Sequence, residues 1–572
     1  MSLPPVVATD RDLIERWRDE PAPLLPLLHA FHDRDGYLSD DALRAVASGL
    51  RIPLADLYGT VTFYHHFART PGGRDCPRVC DGPICKLRGS AELLKALEAQ
   101  GATPMPCAGR CEDPIPVLRG YEFLRGHRDG SLQAVAAPLP APNPGGHEEC
   151  CFRDIRRADR ASLEGYRESG GYVGLTRAVM ELTPDELLAT IDASGLAGRG
   201  GAGFPTGRKW RAVAEAEGAP KTIVCNADEG EPGCFKDRVL MDHDPHAVIE
   251  GMTIAARATG ATRGFLYLRY EYPHTMEILE RAIEEARSAG LLGKDILGTG
   301  FIFELYVRRG AGAYICGEET SLLNSLEGKH PFPRNRPPYP VTHGFEDLPT
   351  AVNNVETLAS VPPIVARGAE WYAGLGLGEH KGTKIISLSG DVQRPGNYEV
   401  PLGLPLTTLL DEWAGGPHAG RNIQAVTMAG LSGGFLAASE LGVTLDEPSL
   451  RAHHHQSFLG AGGIMVFDDS RDMVQVAREA MSFFAHESYG KCFPCRIGTQ
   501  RITERLSGAG PEDADAWKTE VHEIGEVMAG LSACGLGIAA PSISESLLRC
   551  FPEAVDAFLE KRQATQAQSG TS

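Results

Sequence analysis

The chain has 572 residues, of which 42% are hydrophobic and 23% charged, and it carries a formal net charge of -19 at pH 7. At roughly 150 residues per domain, this length predicts about three or four domains. The negative charge argues against nucleic acid or an anionic membrane as a partner, because both would repel the chain.

The N-terminal segment does not have the pattern of a secretion signal. It carries Asp10, Asp12 and Glu15 where a signal peptide has a basic start and an apolar middle. The sequence also has no run of about 18 apolar residues. We therefore expect no membrane insertion and a cytoplasmic location, where thiols stay reduced and available to metal. Residues 1–75 predict a helical segment, with a candidate N-cap at Ser39.

Residues 76–135 contain four cysteines in two close pairs. Cys80 and Cys85 form a C-x4-C pair, and Cys107 and Cys111 form a C-x3-C pair. The expected order of strand, loop, helix (91–100), strand and loop is thioredoxin-like. Backbone N–H groups of such loops can point at sulfur, so an iron–sulfur cluster is predicted. A zinc site and unrelated buried cysteines are the alternatives.

The rest of the chain divides by composition and periodicity. A proline-rich stretch predicts an extended linker, and alternating helix and strand patterns predict an α/β domain after it. A smaller β-rich unit, a helical bundle and a disordered tail follow. The predicted bounds are 136–149 for the linker, 150–380 for the α/β domain, 381–470 for the β-rich unit, 471–560 for the bundle and 561–572 for the tail.

A glycine-rich loop, Gly198–Gly203, predicts contact with a phosphate. Its G-x-G-x-x-G pattern alone is a weak indication of a dinucleotide site, because that fingerprint should follow a strand and open a helix. Here residues 187–191 look helical and Pro205 interrupts the segment after the loop. Glycines still let the backbone approach a phosphate, and Lys209 offers a cation for it.

Two further loops, 226–232 and 310–320, are rich in glycine, acids and amides and follow strand candidates. A single acidic loop is often only a solvated turn. Three such loops at the strand ends of one domain favour a binding site.

Five segments of the chain resemble the NADH-oxidising flavoprotein subunit of respiratory complex I and its relatives. They are GRGGAGFPTGRKW, NADEGEPGCFKDR, GAYICGEETSLLNSLEG, NNVETLA and ESYGKCFPC, and with the intervening sequence they cover about 150–550. The N-terminal portion, with LYGTVTFY before the cysteines, is similar to the small [2Fe–2S] subunit of that complex. Such fusions occur in diaphorase subunits of NAD-dependent formate dehydrogenases and NAD-reducing hydrogenases. This one looks most like the β subunit of the tungsten or molybdenum formate dehydrogenase.

The resemblance implies a fold, cofactors and a function. The fold would be multidomain α/β, with a thioredoxin-like [2Fe–2S] domain, a Rossmann-like FMN and NADH domain, a small β-grasp-like (soluble-ligand-binding-like, ubiquitin-like) domain and a helical bundle carrying [4Fe–4S]. The function would be hydride exchange between NAD and FMN, with electrons passing through the clusters to or from a large α subunit that holds a tungsten or molybdenum bis-pterin. The alternatives are the diaphorase of an NAD-reducing hydrogenase, a complex I-like dehydrogenase, or an N-terminal domain that serves only for docking.

The resemblance also assigns residues, none of them as an acid or base in catalysis. FMN phosphate would be held by Gly198, Gly200, Gly201 and Lys209, and the rest of FMN by Asn226, Asp228, Glu229, Gly317, Asn353, Asn354 and Thr357. Phe204 would stack on the nicotinamide, and Glu231, Glu318, Glu319 and Arg336 would line the dinucleotide pocket. Glu231 and Glu319 would orient NAD and repel the 2′-phosphate of NADP. The cluster ligands would be Cys80, Cys85, Cys107 and Cys111 for [2Fe–2S], and Cys492, Cys495 and Cys534 for [4Fe–4S].

Two features depart from the family pattern. Only 21 residues separate Cys85 from Cys107, a shorter interval than in the family. The C-terminal pattern C-x2-C-x2-C requires a cysteine at the position where this chain has Tyr489. We expect a [4Fe–4S] cluster with three cysteine ligands and an oxygen ligand, for which a Tyr489 phenolate is the candidate. The alternative is that Tyr489 only packs beside the cluster and leaves water or a [3Fe–4S] core.

Overall fold

A computed structural model of the protein describes residues 8–135, 138–452 and 457–569. Its N-terminal segment consists of four helices. The Ser39 side chain accepts a hydrogen bond from the Ala42 backbone N–H, so the predicted N-cap is confirmed. The helices are α1 (Asp10–Trp17), α2 (Leu24–Asp35), α3 (Asp40–Leu50) and α4 (Leu54–Phe63).

A five-stranded sheet with order β2-β1-β3-β4-β5 follows these helices. Strand β1 runs parallel to β2 and antiparallel to β3. The predicted helix over 91–100 is shorter than expected, because it ends at Ala96 and a 3-10 turn occupies Glu98–Gln100. The elements are β1 (Arg78–Cys80), α5 (Pro83–Arg88), α6 (Ser90–Ala96), β2 (Thr103–Met105), β3 (Pro116–Arg119), β4 (Glu122–Gly126) and β5 (Leu132–Ala134).

The α/β domain is built on a sheet with order β10-β6-β7-β9-β8, in which the first four strands are parallel and β8 is an antiparallel edge. Parallel strands need helical crossovers, and the strands at 222–227, 263–268 and 301–309 confirm the predicted alternation. The elements are α7 (Leu163–Glu168), α8 (Val173–Met180), α9 (Pro184–Ser194), α10 (Thr206–Glu215), β6 (Thr222–Ala227), α11 (Lys236–His243), α12 (Pro245–Thr259), β7 (Arg263–Leu268), α13 (Pro273–Ser288), β8 (Gly293–Ile296), β9 (Phe301–Arg309), α14 (Glu319–Leu326), β10 (Thr350–Asn354), α15 (Val355–Arg367) and α16 (Ala369–Ala373).

The β-rich unit is a mixed sheet with order β12-β11-β15-β13-β14. Strands β11 and β15 are parallel and central, and the other neighbouring pairs are antiparallel. A core of its own, with Ile386, Val426 and Ile464 fully buried, holds the unit together. The elements are β11 (Thr383–Gly390), β12 (Gly396–Pro401), β13 (Ile423–Thr427), β14 (Phe435–Ala437), α17 (Glu447–Ala452) and β15 (Gly463–Asp468).

Six helices form the C-terminal bundle: α18 (Met473–Glu487), α19 (Phe493–Leu506), α20 (Ala514–Leu531), α21 (Gly535–Ala539), α22 (Pro541–Cys550) and α23 (Pro552–Ser569). The predicted disorder over 561–572 is wrong for 561–569, which continue α23. This stretch is rich in Lys, Arg, Gln and Ala, which are good helix formers despite their low hydrophobicity. Residues 570–572 lie outside the described part of the chain. Within the described ranges, no helix has both the length and the hydropathy to cross a bilayer.

The N-terminal helices and the bundle pack on the α/β domain in one continuous apolar core. Tyr64 of the segment after α4 and Tyr267 of β7 both hydrogen-bond Ser325 of α14, each at 2.7 Å between oxygens. These contacts place the N-terminal helices against the carboxyl end of β7.

Candidate functional site

The strand order of the α/β sheet reverses between β10 and β6. In open α/β sheets, ligands bind outside the carboxyl ends of the strands at such a switch point. Asn226 near the end of β6 pairs in register with Asn354, the last residue of β10. Asp228 and Glu229 follow β6 directly, so the predicted amide and acid loops meet at this edge of the sheet.

The glycine-rich loop connects α9 to α10 and lies over the same edge. It is a helix–loop–helix connection, which confirms that the strand-and-helix context of a dinucleotide fingerprint is missing here. The Arg199 backbone N–H donates to Thr357 Oγ1 at 2.8 Å. A Cβ added at Gly200 would lie 2.9 Å from Asn354 Cβ, so only glycine allows this approach. Gly201 and Gly203 have φ values of 137° and 63°, which favour glycine, and a Cβ there would meet open space.

Lys209 brings a cation to the glycine loop. Its Nζ donates to the Val352 carbonyl at 3.0 Å and to Glu319 Oε2 at 3.3 Å. The next residue, Trp210, is buried and donates from Nε1 to Asn353 Oδ1 at 2.9 Å. The backbone of the loop, the cation and the amide side chains thus converge at the end of β10, and this set of donors suits a phosphate-bearing flavin.

The acid and amide side chains are fixed by their neighbours. Asn226 Nδ2 donates to the Gly317 carbonyl at 2.8 Å, which joins the predicted loops 226–232 and 310–320. Glu229 accepts hydrogen bonds from the Asp237 N–H at 3.1 Å and from the Tyr272 hydroxyl at 3.1 Å. Burial raises the pKa of Glu229 to about 7.

Asp228 is the most strongly perturbed acid of this set. Burial raises the pKa of its carboxyl to about 8, and the nearby Glu271 and Glu487 carboxylates add to the increase while Arg269 opposes it. At neutral pH, Asp228 is therefore mostly protonated and can donate a hydrogen bond as well as accept one.

A buried ion-pair network that sequence reasoning missed supports Asn354. Lys236 Nζ lies 2.6 Å from Asp237 Oδ1, 2.9 Å from Glu356 Oε2 and 3.3 Å from Asn354 Oδ1. Asn354 Nδ2 in turn donates to Asp237 Oδ2 at 2.6 Å. The only signal in the sequence is the adjacent Lys and Asp within the quoted segment NADEGEPGCFKDR.

The residues predicted to line the dinucleotide pocket are already engaged with the protein. Glu231 Oε1 accepts hydrogen bonds from the Leu431 N–H at 2.7 Å and the Ser432 N–H at 3.1 Å, so it ties the site to the β-rich unit. Glu318 caps α14 through the Thr320 and Ser321 N–H groups and pairs with Arg336.

Glu319 lies between two cations, 3.3 Å from Lys209 and 3.2 Å from Arg336. Phe204 stands exposed at the end of the glycine loop, with the Arg208 guanidinium 5.8 Å from its ring centre. Ion pairs thus connect Glu318, Glu319 and Arg336, and the two cations largely compensate the charge of Glu319.

The four N-terminal cysteines are brought together and buried. Cys107 and Cys111 sulfurs lie 3.6 Å apart, and the Ala108 N–H donates to Cys80 Sγ at 3.4 Å. Cys85 lies on α5 beside Cys80. The short interval between the cysteine pairs does not separate them. Four sulfurs with backbone donors match the ligand set of a [2Fe–2S] cluster.

The three C-terminal cysteines also meet at helix ends. Cys492 is the N-cap of α19 and Cys534 the N-cap of α21. Backbone N–H groups of Ala533 and Cys495 face the Cys492 sulfur, and those of Leu536 and Gly537 face the Cys534 sulfur. Helix N-termini of this kind compensate the negative charge of a cluster. Ser532 Oγ, buried beside them, has no hydrogen-bond partner among the described residues, as expected if a group fills this space.

This arrangement joins two kinds of electron transfer. When bound, FMN can exchange hydride with a nicotinamide and single electrons with iron–sulfur clusters. The chain's own residues would hold and orient the cofactor: the glycine loop and Lys209 would hold its phosphate, the amides fix the strand ends, and Arg269 links the cysteine loop to β7. No side chain is needed as an acid or base for the hydride itself.

Four family descriptions match the chain in the order of its modules. They are the thioredoxin-like [2Fe–2S] ferredoxin over 11–111, the Nuo51 FMN-binding domain over 191–363, the SLBB domain over 385–434 and the NADH-ubiquinone oxidoreductase-F iron–sulfur binding region over 475–558. These matches confirm the predicted multidomain α/β fold class and the cofactors FMN, NAD, [2Fe–2S] and [4Fe–4S].

Individual relatives extend the match over nearly the whole chain. An NADH-quinone oxidoreductase subunit of Rhizobium meliloti is 45% identical over 419 residues, which cover 73% of this chain and 99% of the relative. The NAD-reducing hydrogenase HoxS subunit alpha of Cupriavidus necator is 34% identical over 574 residues, which cover 95% of this chain and 92% of the relative.

A solved structure agrees with these matches. The crystal structure of an NAD+-reducing [NiFe]-hydrogenase in its H2-reduced state superposes with a TM-score of 0.79 and 32% identity, over 94% of this chain and 93% of that chain. Sequence, cofactor sites and fold thus agree on the same group of oxidoreductases. The chain belongs to the family of NADH dehydrogenase (diaphorase) subunits that carry FMN and iron–sulfur clusters.

Proposed function

We propose that this chain is the NAD-reactive diaphorase subunit of a larger enzyme whose partner oxidises formate at a tungsten or molybdenum bis-pterin. The described modules account for FMN, NAD(H) and two clusters. None of the matched family descriptions is a pterin or nickel–iron domain. This set of matches supports a substrate-oxidising site on another subunit.

The observation that supports a partner protein is an exposed apolar patch on the C-terminal helical bundle. Phe493 and Ile497 of α19, Val527 and Leu531 of α20, and Ile538 of α21 have between 39% and 70% of their surface exposed. The spacing of four residues puts each pair on one face of its helix. We call these five residues the cluster-side patch, because α19 and α21 begin directly after Cys492 and Cys534, and α20 ends at Leu531, three residues before Cys534.

Exposed apolar side chains on neighbouring helices mark a protein interface. A partner that covers the cluster-side patch would bring its own redox centre next to the C-terminal cysteines. It would also remove apolar surface from water, which is worth about 25 cal/mol per Å². The patch therefore favours electron exchange with a protein at this face.

Charged substitutions in the patch test this step. In the co-expressed complex, Leu531→Asp and Phe493→Asp are expected to lose the large subunit during affinity purification, while NADH oxidation with an artificial acceptor persists. Met180→Asp is the matched control, because Met180 on α8 is also an exposed apolar residue, with 61% of its surface accessible. Retention of the large subunit by both patch variants would contradict the proposal.

The chemistry of the partner needs a separate experiment. The resemblance of the fused chain to formate dehydrogenase β subunits supports formate, whereas the match to a hydrogenase subunit over 95% of the chain favours hydrogen. The purified complex is to be supplied with NAD+ and either formate or hydrogen. We expect NADH from formate, together with tungsten or molybdenum in the metal analysis. NADH from hydrogen, with nickel present, would overturn the formate proposal and leave the diaphorase function intact.

A further inference from the structure

The C-terminal module has three cysteines for a cluster of four irons. Each iron of a [4Fe–4S] cube takes one ligand from outside the cube. The remaining cysteine of the bundle, Cys550, lies at the end of α22 and faces the β-rich unit, 3.4 Å from Glu440 Oε2 and 3.8 Å from the Phe435 carbonyl. It belongs to a different contact, so the described residues supply no fourth thiol here.

Tyr489 stands where a fourth ligand is needed. It lies in the loop between α18 and α19, three residues before Cys492. Its hydroxyl contacts the Cys492 sulfur and is close enough to Cys495 and Cys534 to interact electrostatically with both. The Tyr489 ring packs against Phe332, with 5.7 Å between ring centres.

Two serine hydroxyls are the competing oxygen donors. Ser488 Oγ lies 3.3 Å from the Cys495 sulfur, and Ser532 Oγ is buried without a partner among the described residues. A serine alcohol holds its proton far more tightly than a phenol does, so the phenol is the better source of an anionic oxygen. The Ser488 hydroxyl is placed to donate a hydrogen bond to the sulfur of Cys495.

We propose that the Tyr489 phenolate oxygen is the fourth ligand of the [4Fe–4S] cluster, beside the sulfurs of Cys492, Cys495 and Cys534. On binding, the phenol O–H bond is replaced by an iron–oxygen bond and the proton leaves to solvent, which Tyr489 reaches because it is only partly buried. The inference rests on the [4Fe–4S] assignment and not on the identity of the partner.

An oxygen ligand would tune electron transfer at this cluster. Phenolate is a harder donor than thiolate, so it stabilises ferric iron and lowers the reduction potential of the cluster relative to a site with four thiolates. The ligand at position 489 would then set how readily electrons pass between the cluster and FMN.

Spectroscopy of the full chain tests the ligand directly. We expect resonance Raman spectra of the wild-type protein to contain ring modes of an iron-bound tyrosinate, which Tyr489→Phe removes. The Phe variant keeps the ring packed on Phe332 but has no donor, so oxidation should release one iron and give the EPR signal of a [3Fe–4S] cluster. Tyr489→Cys should keep four irons and raise the midpoint potential.

Ser488→Ala and Ser532→Ala are the matched controls, and both are expected to retain the tyrosinate modes and a [4Fe–4S] Mössbauer spectrum. The proposal is overturned if the wild-type protein shows no tyrosinate modes, a result that does not depend on any variant folding. It is equally overturned if Tyr489→Phe keeps a stable four-iron cluster at an unchanged potential. Loss of an iron in Ser488→Ala or Ser532→Ala but not in Tyr489→Phe would assign the ligand to that serine.

Discussion

Arg269, the first residue after β7, donates from Nη2 to the Cys107 carbonyl oxygen at 2.6 Å. The same guanidinium pairs with Glu271 at 2.9 Å and donates to the Glu229 carbonyl. One buried side chain therefore connects the N-terminal cysteine loop with the acid loop at the switch point. This contact, together with apolar packing, holds the N-terminal cysteine module against the α/β domain.

Replacing Arg269 should loosen the N-terminal module. Removal of one partner from a buried ion pair costs about 3–5 kcal/mol, because the other charge stays buried and unpaired. For Arg269→Met we expect a lower melting temperature, followed by visible absorbance of the [2Fe–2S] chromophore, and faster proteolysis in the linker. Arg281→Met, on the exposed face of α13, is the control and should melt like the wild-type protein. Equal melting of both variants would argue against the bridging role.

Lys209 should be required for FMN retention. Its Nζ lies near the end of β10, where it donates to the Val352 carbonyl, and a charge-assisted hydrogen bond is worth about 1.5–3 kcal/mol. Lys209→Ala is therefore expected to weaken FMN binding roughly 10- to 150-fold, measured as flavin fluorescence released on gel filtration. Arg208→Ala removes a neighbouring exposed cation and should keep its flavin. Normal flavin content in the Lys209 variant would refute its assignment to the phosphate.

Local patterns predicted much of this architecture, and long-range pairing explains what they missed. The Ser39 cap and the strands at 222–227 and 263–268 depend on neighbouring residues, so propensity and periodicity were sufficient. The Lys236 ion pair with Glu356 joins residues 120 positions apart, and the Glu231 contact with Leu431 joins residues 200 positions apart. Such contacts exist only once the sheet is assembled.

The protonation of Asp228 should make stability depend on pH. The pKa of its carboxyl is raised from the ordinary 3.8 to about 8 in the folded chain. Between these values the unfolded state has lost the proton and the folded state keeps it. The contribution of Asp228 is thus greatest below about pH 4 and is lost as pH rises toward 8, by up to about 1.4 kcal/mol per pH unit.

Asp228→Asn tests this titration, because Asn is neutral at every pH and nearly isosteric with the protonated acid. We expect the melting temperature of the variant to fall less steeply between pH 5.5 and 8 than that of the wild-type chain. Glu277→Gln on α13 removes an exposed carboxyl that lies outside this cluster and serves as the control. Parallel slopes for wild type and Asp228→Asn would show that Asp228 is ionised in the folded protein.

The N-terminal cysteines should bind two of the irons that the full chain contains. A [2Fe–2S] and a [4Fe–4S] cluster together give about six irons and six labile sulfides per chain. In Cys107→Ser we expect about four of each to remain, with loss of the [2Fe–2S] EPR signal. Cys76→Ser is the control, since Cys76 lies outside the group of four and is partly exposed. Zinc without labile sulfide in the wild-type module would replace the cluster with a structural zinc site.

The chain is expected to oxidise NADH in strong preference to NADPH, and Glu231 should matter more for this choice than Glu319. The charge of Glu319 is compensated by Lys209 and Arg336, both within 3.3 Å. Among the described residues, the groups that donate hydrogen bonds to the Glu231 carboxylate are neutral: the Leu431 and Ser432 N–H groups, the Ser432 hydroxyl and the Tyr314 hydroxyl. Its negative charge therefore remains to repel a 2′-phosphate.

Glu231→Gln should raise kcat/KM for NADPH about tenfold relative to NADH, as a change of about 1.4 kcal/mol predicts. Glu319→Gln should change the ratio less, and a larger effect at Glu319 than at Glu231 would contradict this ranking.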